Sequence, residues 1–224
     1  MREPSELWAA VDALFDSVMV EPDPVLDDAV AASAAAGLPP IQVTPSQGKL
    51  LHLFARMISA RRVLEIGTLG GYSTIWLARA LPTDGRVVTL EIDPAHANVA
   101  RSSFERAGLS SRIDLRLGDA LESLEALAAQ RPAPFDLVFV DADKVRIPEY
   151  FDWSLRLTRP GSVIVVDNVV RKGAVLDDAS ADADVQGVRR FLELLGRERR
   201  VTATAVQTVG AKGHDGFVIA LVTA

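Results

Sequence analysis

The sequence has no cysteine, only three histidines, and 6% aromatic residues. Without cysteine, the chain can form neither disulfides nor thiolate metal sites, and it has no thiol nucleophile. His52, His96 and His214 are not spaced as metal ligands. The first two fall in segments expected to be helical, where a structural role is the simpler interpretation. A metal site in this chain would therefore depend on oxygen ligands.

Long apolar runs and an excess of positive charge are also missing. The alanine-rich stretch 29–36 is far too short to cross a bilayer, and residues 1–8 carry acids where a signal peptide would have a basic and then an apolar run. The net charge of −6 weighs against nucleic acid as a partner, although a local basic patch could survive that average. We therefore expect a soluble, cytoplasmic protein without a membrane segment.

The N-terminal quarter of the chain differs in texture from the rest. Residues 5–60 contain no strand-like run, and prolines at 22, 24, 39, 40 and 45 divide them into about three helices. From Arg62 onward strands and helices alternate, which is typical of a mostly parallel sheet covered on both faces. We interpret residues 1–60 as a helical cap on an α/β core of residues 61–224, the whole forming a single domain.

The predicted elements of the core follow from hydrophobic periodicity and turn residues. Strands are predicted at 63–66, 87–91, 113–117, 137–140, 163–166, 201–206 and 217–221, and helices near 72–81, 94–107, 121–129, 147–158 and 185–198. Only glycines 210, 213 and 216 separate the last two strands. These two strands should therefore form an antiparallel hairpin at a sheet edge.

A glycine-rich turn follows the first predicted strand. Its spacing, Glu65-x-Gly67-x-x-Gly70-Gly71, differs from the G-x-G-x-x-G of a dinucleotide pyrophosphate loop. Glu91 ends the second strand, where an acid can bind ribose hydroxyls. The combination favours adenosine without a pyrophosphate, as in S-adenosylmethionine (SAM), whose ammonium could meet Glu65. The alternative is an ordinary tight turn with an incidental acid.

Two carboxylate clusters end consecutive apolar strands, Asp141-Ala142-Asp143-Lys144 and Asp167-Asn168. Because the carboxyl ends of parallel strands open into the ligand crevice, Asp141, Asp167 and Asn168 should converge there as three oxygen donors suited to Mg²⁺. Capping of the next helix is the alternative for either acid alone. Lys144 could reach a metal-bound substrate as a general base, because a nearby divalent cation disfavours the protonated amine; otherwise it is a solvated lysine.

These residues give the chain a resemblance to the cation-dependent, SAM-dependent O-methyltransferases, the family of caffeoyl-CoA and catechol O-methyltransferases. The similarity runs from about Ile41 to the C-terminus, in the ordered segments 43–49, 63–68, 71–73, 91–94, 141–144 and 167–169. The resemblance implies a Rossmann-like, seven-stranded sheet whose last strand is antiparallel. It also implies a homodimer and a phenolic small molecule as methyl acceptor.

The resemblance further assigns roles to individual positions. Asp141, Asp167 and Asn168 match the ligands of Mg²⁺, or of Mn²⁺ or Ca²⁺, and Lys144 matches the catalytic base. The positions that match SAM contacts are Val43, Glu65, Gly67, Gly71, Ser73, Glu91, Asp119, Ala120 and Asp141. Val43 lies in the segment that closes over the methionine end, Glu91 binds the ribose, and Asp119 with Ala120 surrounds the adenine.

The acceptor is the least defined part of this interpretation. Two adjacent hydroxyls can chelate one cation, so a catechol-like acceptor is expected. Arg171 and Lys172, in a segment where plant relatives carry an aromatic residue, would favour an acidic acceptor, unless they belong to a solvated loop. Three alternatives are a tRNA hydroxyuridine methyltransferase on the same fold, an NAD-type oxidoreductase, and a non-catalytic SAM-binding protein.

Overall fold

The computed structural model describes residues 3–224, so Met1 and Arg2 of the expected cap lie outside it. In chain order the elements are α1 (Pro4–Met19), α2 (Pro24–Ala35), α3 (Pro45–Met57), β1 (Arg62–Ile66), α4 (Tyr72–Ala80), β2 (Arg86–Glu91), α5 (Pro94–Arg106), β3 (Ile113–Leu117), α6 (Ala120–Ala129), β4 (Leu137–Val140), α7 (Ile147–Leu157), β5 (Val163–Asp167), α8 (Ala183–Arg197), β6 (Val201–Gly210) and β7 (Gly213–Val222). Short 3₁₀ turns at Ser110–Arg112, Lys144–Arg146 and Arg171–Leu176 complete it.

The strands form one seven-stranded sheet in the order β3-β2-β1-β4-β5-β7-β6. The first five strands are parallel, whereas β7 runs antiparallel to both β5 and β6. The predicted fold class is therefore confirmed, as is the predicted hairpin at one edge. The order reverses direction between β1 and β4, and such a switch point is where open α/β sheets bind their ligands.

Hydrophobic packing on both faces of the sheet explains why its central strands are apolar without alternation. In β1 and β4, Leu64 and Val138 pack into the core cluster with α7 and α8, whereas Val63 and Leu137 pack into the opposite cluster. All four side chains are fully buried. Successive strand residues point to opposite faces, so a strand covered on both sides is apolar at most of its positions.

The N-terminal segment forms three helices, each with proline at its first position, as the prolines predicted. Proline is suited to this position because its missing N–H would have no partner there. Helix α2 contacts α4 and α5, and α3 contacts α4, so both lie against the core. Helix α1 lies across α3 and the edge strand β6. None of the helices described is both long and apolar enough to cross a membrane.

Candidate active site

A cavity of about 1090 Å³ opens at the carboxyl ends of β1, β2, β4 and β5. Its walls come from the glycine-rich turn, the loops after β4 and β5, the start of α3, helix α1 and the β6–β7 hairpin. The volume is at the upper end of the range for small-molecule sites. Parallel strands place all these loops at one edge of the sheet, so segments far apart in sequence share the cavity.

Glycine is required at two positions of the turn between β1 and α4. Gly67 has φ of +102°, and a Cβ there would collide with the carbonyl oxygen of Asp141. Gly71 has φ of +87° and lies against the ring of Phe104. The turn therefore brings β1 and β4 together and leaves main chain, rather than side chains, facing the cavity.

Glu65 is fully buried and does not line the cavity. Its carboxylate accepts hydrogen bonds from the hydroxyls of Ser73 (2.6 Å), Thr89 (2.7 Å) and Thr74. Burial raises the pKa of Glu65 to about 7, against the opposing effect of the three hydroxyl donors. Because Ser73 does line the cavity, any role of Glu65 in binding a cofactor is indirect here, through the hydroxyl that it holds.

Glu91 ends β2 at the cavity wall and is only 6% exposed. One carboxylate oxygen accepts the main-chain N–H of Thr68 (3.2 Å) and Leu69 (2.8 Å), and the other accepts that of Asp93 (2.9 Å). The acid therefore has a fixed orientation and still has lone pairs for a ligand. His96, which the sequence suggested was structural, lines the same wall, with Nδ1 3.4 Å from Glu91 Oε1.

The remaining predicted cofactor positions separate into lining and supporting residues. Ala120 lines the cavity, whereas Asp119 caps α6 by accepting the N–H of Leu121 at 2.8 Å and does not line it. Asp119 also binds Arg146 at 2.6 Å. Arg146 was not predicted to take part; it lines the cavity and bridges Asp119 and Asp143.

The two predicted carboxylate clusters do meet. Asp141 and Asp167 face the same part of the cavity, and Asn168 follows Asp167 with a left-handed φ of +60° that asparagine tolerates. Burial, together with the nearby Asp141 carboxylate, raises the pKa of Asp167 to about 7. Asp167 is buried, whereas Asp141 is partly exposed, and a cation between the two carboxylates would favour the ionised form of Asp167.

Lys144 lies beside this pair rather than in solvent. It is 7% exposed, and its Nζ is 2.7 Å from Asp141 Oδ1. Lys144 begins the 3₁₀ turn Lys144–Arg146, which starts three residues after Asp141. Lys144 thus forms part of the cavity wall.

Gln47 joins the cluster from the far side of the cavity. Its Nε2 donates to Asp167 Oδ2 at 2.7 Å, across 120 positions of sequence. Gln47 lies in the segment 43–49 that resembles the family, and the sequence assigns no role to it. The sequence Thr44-x-x-Gln47 reads as a capping box, and Thr44 does cap α3, yet the Gln47 side chain turns to Asp167 instead of back to the cap.

The structure brings most of the predicted site residues into one cavity. Those that line it are Val43, Gly67, Ser73, Glu91, Ala120, Asp141, Lys144, Asp167 and Asn168, whereas Glu65, Gly71 and Asp119 support it from behind. No cluster of three or more histidine, cysteine, aspartate or glutamate side chains suited to a metal occurs in residues 3–224. A cation bound beside Asp141 and Asp167 would therefore depend on the Asn168 amide as a third ligand.

Comparison with known proteins places the chain in a family. The family model described as O-methyltransferase matches residues 16–221. A protein of Mycobacterium tuberculosis named catechol O-methyltransferase is 55% identical over 212 residues, which are 95% of this chain and 94% of that protein. The chain therefore belongs to the SAM-dependent O-methyltransferases and is an enzyme of that class, as the resemblance implied.

Two solved structures agree with this assignment. An O-methyltransferase from Bacillus cereus, in complex with S-adenosylhomocysteine (SAH), has a TM-score of 0.96 and 53% identity, covering 98% of this chain and 100% of that one. The O-methyltransferase TomG from Streptomyces achromogenes, involved in tomaymycin synthesis and solved with SAM, has a TM-score of 0.97 and 53% identity, with all of both chains covered.

Proposed function

We propose that this enzyme transfers a methyl group from SAM to one hydroxyl of a catechol-like small molecule, with Mg²⁺, or Mn²⁺ or Ca²⁺, as its metal. The observation that carries the proposal is the meeting of Asp141, Asp167, Asn168 and Lys144 beside the Gly67 turn in one cavity. The relative named catechol O-methyltransferase supports the same acceptor class.

The part of the cavity beside the Gly67 turn, the end of β2 and the start of α6, which we call the cofactor half, has chemistry suited to SAM. The main chain at Gly67 allows close approach, and the N-terminus of α4 follows directly. Glu91 would accept hydrogen bonds from the ribose hydroxyls, Ser73 would bind near the methionine end, and Val43 and Ala120 would cover apolar surface. None of these roles requires a pyrophosphate.

The metal half fits a hard divalent cation. Two carboxylates and an amide oxygen are the ligand types that Mg²⁺, Mn²⁺ and Ca²⁺ prefer. Burial and the nearby Asp141 carboxylate raise the pKa of Asp167, and a bound cation would favour its ionised form. Gln47 would orient Asp167 through its hydrogen bond, as groups behind metal ligands commonly do.

Lys144 is the residue that we propose moves a proton. When bound, SAM supplies the methyl group as a sulfonium and the cation favours the ionised form of the acceptor hydroxyl. Lys144 Nζ would take the hydroxyl proton, since the amine is buried beside Asp141 and faces the cavity. The cavity walls would hold both reactants in line, a positioning effect that can contribute roughly 7–11 kcal/mol in favourable systems.

A homodimer is a further part of the proposal, with the chain as one domain. Helix α1 has no fully buried residue, and its exposed apolar side chains include Leu7, Leu14, Phe15 and Val18. The neighbouring edge strand β6 adds exposed Val206 and Val209. Such a surface is typical of an interface between subunits. Size-exclusion chromatography with light scattering would test it.

The experiment for the reaction compares acceptors under identical conditions. Catechol, phenol and undermodified tRNA are each incubated with the enzyme, SAM and Mg²⁺, and products are measured by intact mass. We expect a gain of one methyl on catechol and a much poorer reaction with phenol, which loses one metal bond. Equal rates on catechol and phenol would refute chelation, and methylation of tRNA alone would favour the tRNA alternative.

A further inference from the structure

The turn of the β6–β7 hairpin brings Lys212 to the cavity. Strand β6 ends at Gly210 and β7 begins at Gly213, leaving Ala211 and Lys212 as the connecting residues. Lys212 lines the cavity, and the acids that act on its amine are Asp141 and Asp167. The surrounding protein atoms lower the pKa of Lys212 and the two acids oppose this effect. The amine thus lies within electrostatic reach of the candidate metal site.

The positive charge of Lys212 has no acid of its own in the structure. Three other cations that line the cavity do have acid partners: Lys144 pairs with Asp141, Arg146 with Asp119 and Asp143, and Arg171 with Asp184. Within residues 3–224, Lys212 forms neither an ion pair nor a side-chain hydrogen bond, and the same holds for Lys172. The pairing of Arg171 removes one of the two residues from which an acidic acceptor was expected.

The main chain of this turn is held by α1. Asp12 Oδ2 accepts the N–H of Ala211 at 2.7 Å, although the two residues are 199 positions apart. Gly210 lies so close that a Cβ there would collide with the Asp12 carboxylate. Asp215, on the other side of the turn, accepts the N–H groups of Val170 (3.0 Å) and Arg171 (3.1 Å). The turn is therefore fixed relative to the loop that follows Asn168.

Charge compensation at the metal site does not require Lys212. The two carboxylates of Asp141 and Asp167 would be balanced by a bound divalent cation. An additional cation on the same cavity is therefore available to a negative group on the bound molecule.

We propose that Lys212 is a specificity-determining residue that binds a carboxylate on the methyl acceptor, and that Asp12 is the positioning residue that holds its turn. The preferred acceptor is then an aromatic vicinal diol with a carboxylate substituent. This inference rests on the proposed function, because it assigns a substituent to the acceptor of that reaction.

The test uses a matched pair of acceptors, 3,4-dihydroxybenzoate and its neutral amide. The ratio of kcat/KM for acid over amide is measured with saturating SAM and Mg²⁺. We expect the wild type to prefer the acid, and Lys212→Met to lower the ratio about tenfold through the KM of the acid, as for loss of one charged hydrogen bond. Lys212→Arg should retain most of the preference. Asp12→Ala should lower the ratio, whereas Asp12→Asn, which keeps an acceptor oxygen for Ala211, should not.

Equilibrium binding gives an independent readout. Calorimetry of the acid with enzyme, SAH and Mg²⁺ should show a Kd about tenfold weaker in Lys212→Met than in wild type. An unchanged acid-to-amide ratio in Lys212→Met would overturn the inference, as would loss of the preference in Lys172→Met instead. If wild type methylated neither acceptor nor catechol, the proposed function itself would fail.

Discussion

The cofactor half and the acceptor half of the cavity are built in different ways. The cofactor half is formed by the Gly67 turn, the end of β2 and the start of α6, each a local strand-to-helix connection. The acceptor half is assembled from α1, the loop after β5 and the β6–β7 hairpin, which meet only in the folded protein. The first half is dictated by short sequence motifs, whereas the second depends on long-range contacts.

Replacement of Lys144 should have the largest effect on turnover. Lys144 lies beside Asp141, where the cofactor half and the acceptor half of the cavity meet. We expect Lys144→Met to lower kcat for catechol by about 10²–10⁴, as for loss of a general base, with little change in SAM affinity. Lys144→Arg provides the control, because it keeps a positive charge beside Asp141 but cannot release a proton. Full activity in Lys144→Arg would show that charge, not proton transfer, is the function of this position.

Replacement of Glu91 tests SAM binding in the cofactor half without changing the proposed metal site. Glu91→Ala should weaken SAM binding by roughly 1.5–3 kcal/mol, through loss of charged hydrogen bonds to the ribose, as measured by calorimetry. Asp93→Ala is the matched control two residues away, because Asp93 caps α5 and does not line the cavity. It should lower Tm with a much smaller change in SAM affinity. Equal losses in both variants would contradict a ribose contact by Glu91.

Replacement of Gln47 tests whether its hydrogen bond to Asp167 supports the proposed metal site. Gln47→Leu removes the donor to Asp167 Oδ2 and should weaken binding of the divalent cation about tenfold, a typical effect for a group behind a metal ligand. SAM affinity measured without metal should change little. Ser46→Ala is the control, since its hydroxyl binds Asp16 of α1 and not the metal cluster. Unchanged cation affinity in Gln47→Leu would separate this residue from the metal site.

The last prediction concerns stability rather than ligand binding or turnover, and it comes from Glu65. Its pKa is raised from 4.5 to about 7 in the folded protein, so its contribution to stability is present below pH 4.5 and is lost as the pH rises to about 7. The loss is on the order of 3 kcal/mol for this shift. Glu65→Gln should therefore make Tm less dependent on pH between these values, in thermal scans without metal. An unaltered pH profile would contradict the buried, protonated carboxyl.

The sequence predicted most of the fold, and it singled out candidate cofactor residues that line the cavity, because their signals are local. Alternating strands and helices, the Gly67 turn and the acids that end β4 and β5 were all readable from consecutive residues. Contacts such as Gln47 with Asp167 or Asp12 with Ala211 could not be predicted from neighbouring residues. In each pair the two residues are more than 100 positions apart and meet only in the folded chain. The expectation that Arg171 binds an acidic acceptor is weakened by a similar long-range contact, because Asp184 forms an ion pair with Arg171 in the structure.

Metal binding at Asp141, Asp167 and Asn168 is the central claim and can be measured directly. Manganese binding to EDTA-treated, dialysed enzyme is followed by electron paramagnetic resonance, and catechol methylation is assayed on the same samples. We expect one Mn²⁺ per chain, displaced by Mg²⁺ and absent in Asp167→Ala, with turnover lost in EDTA and restored by either ion. Full turnover of catechol in the metal-free enzyme would contradict the account.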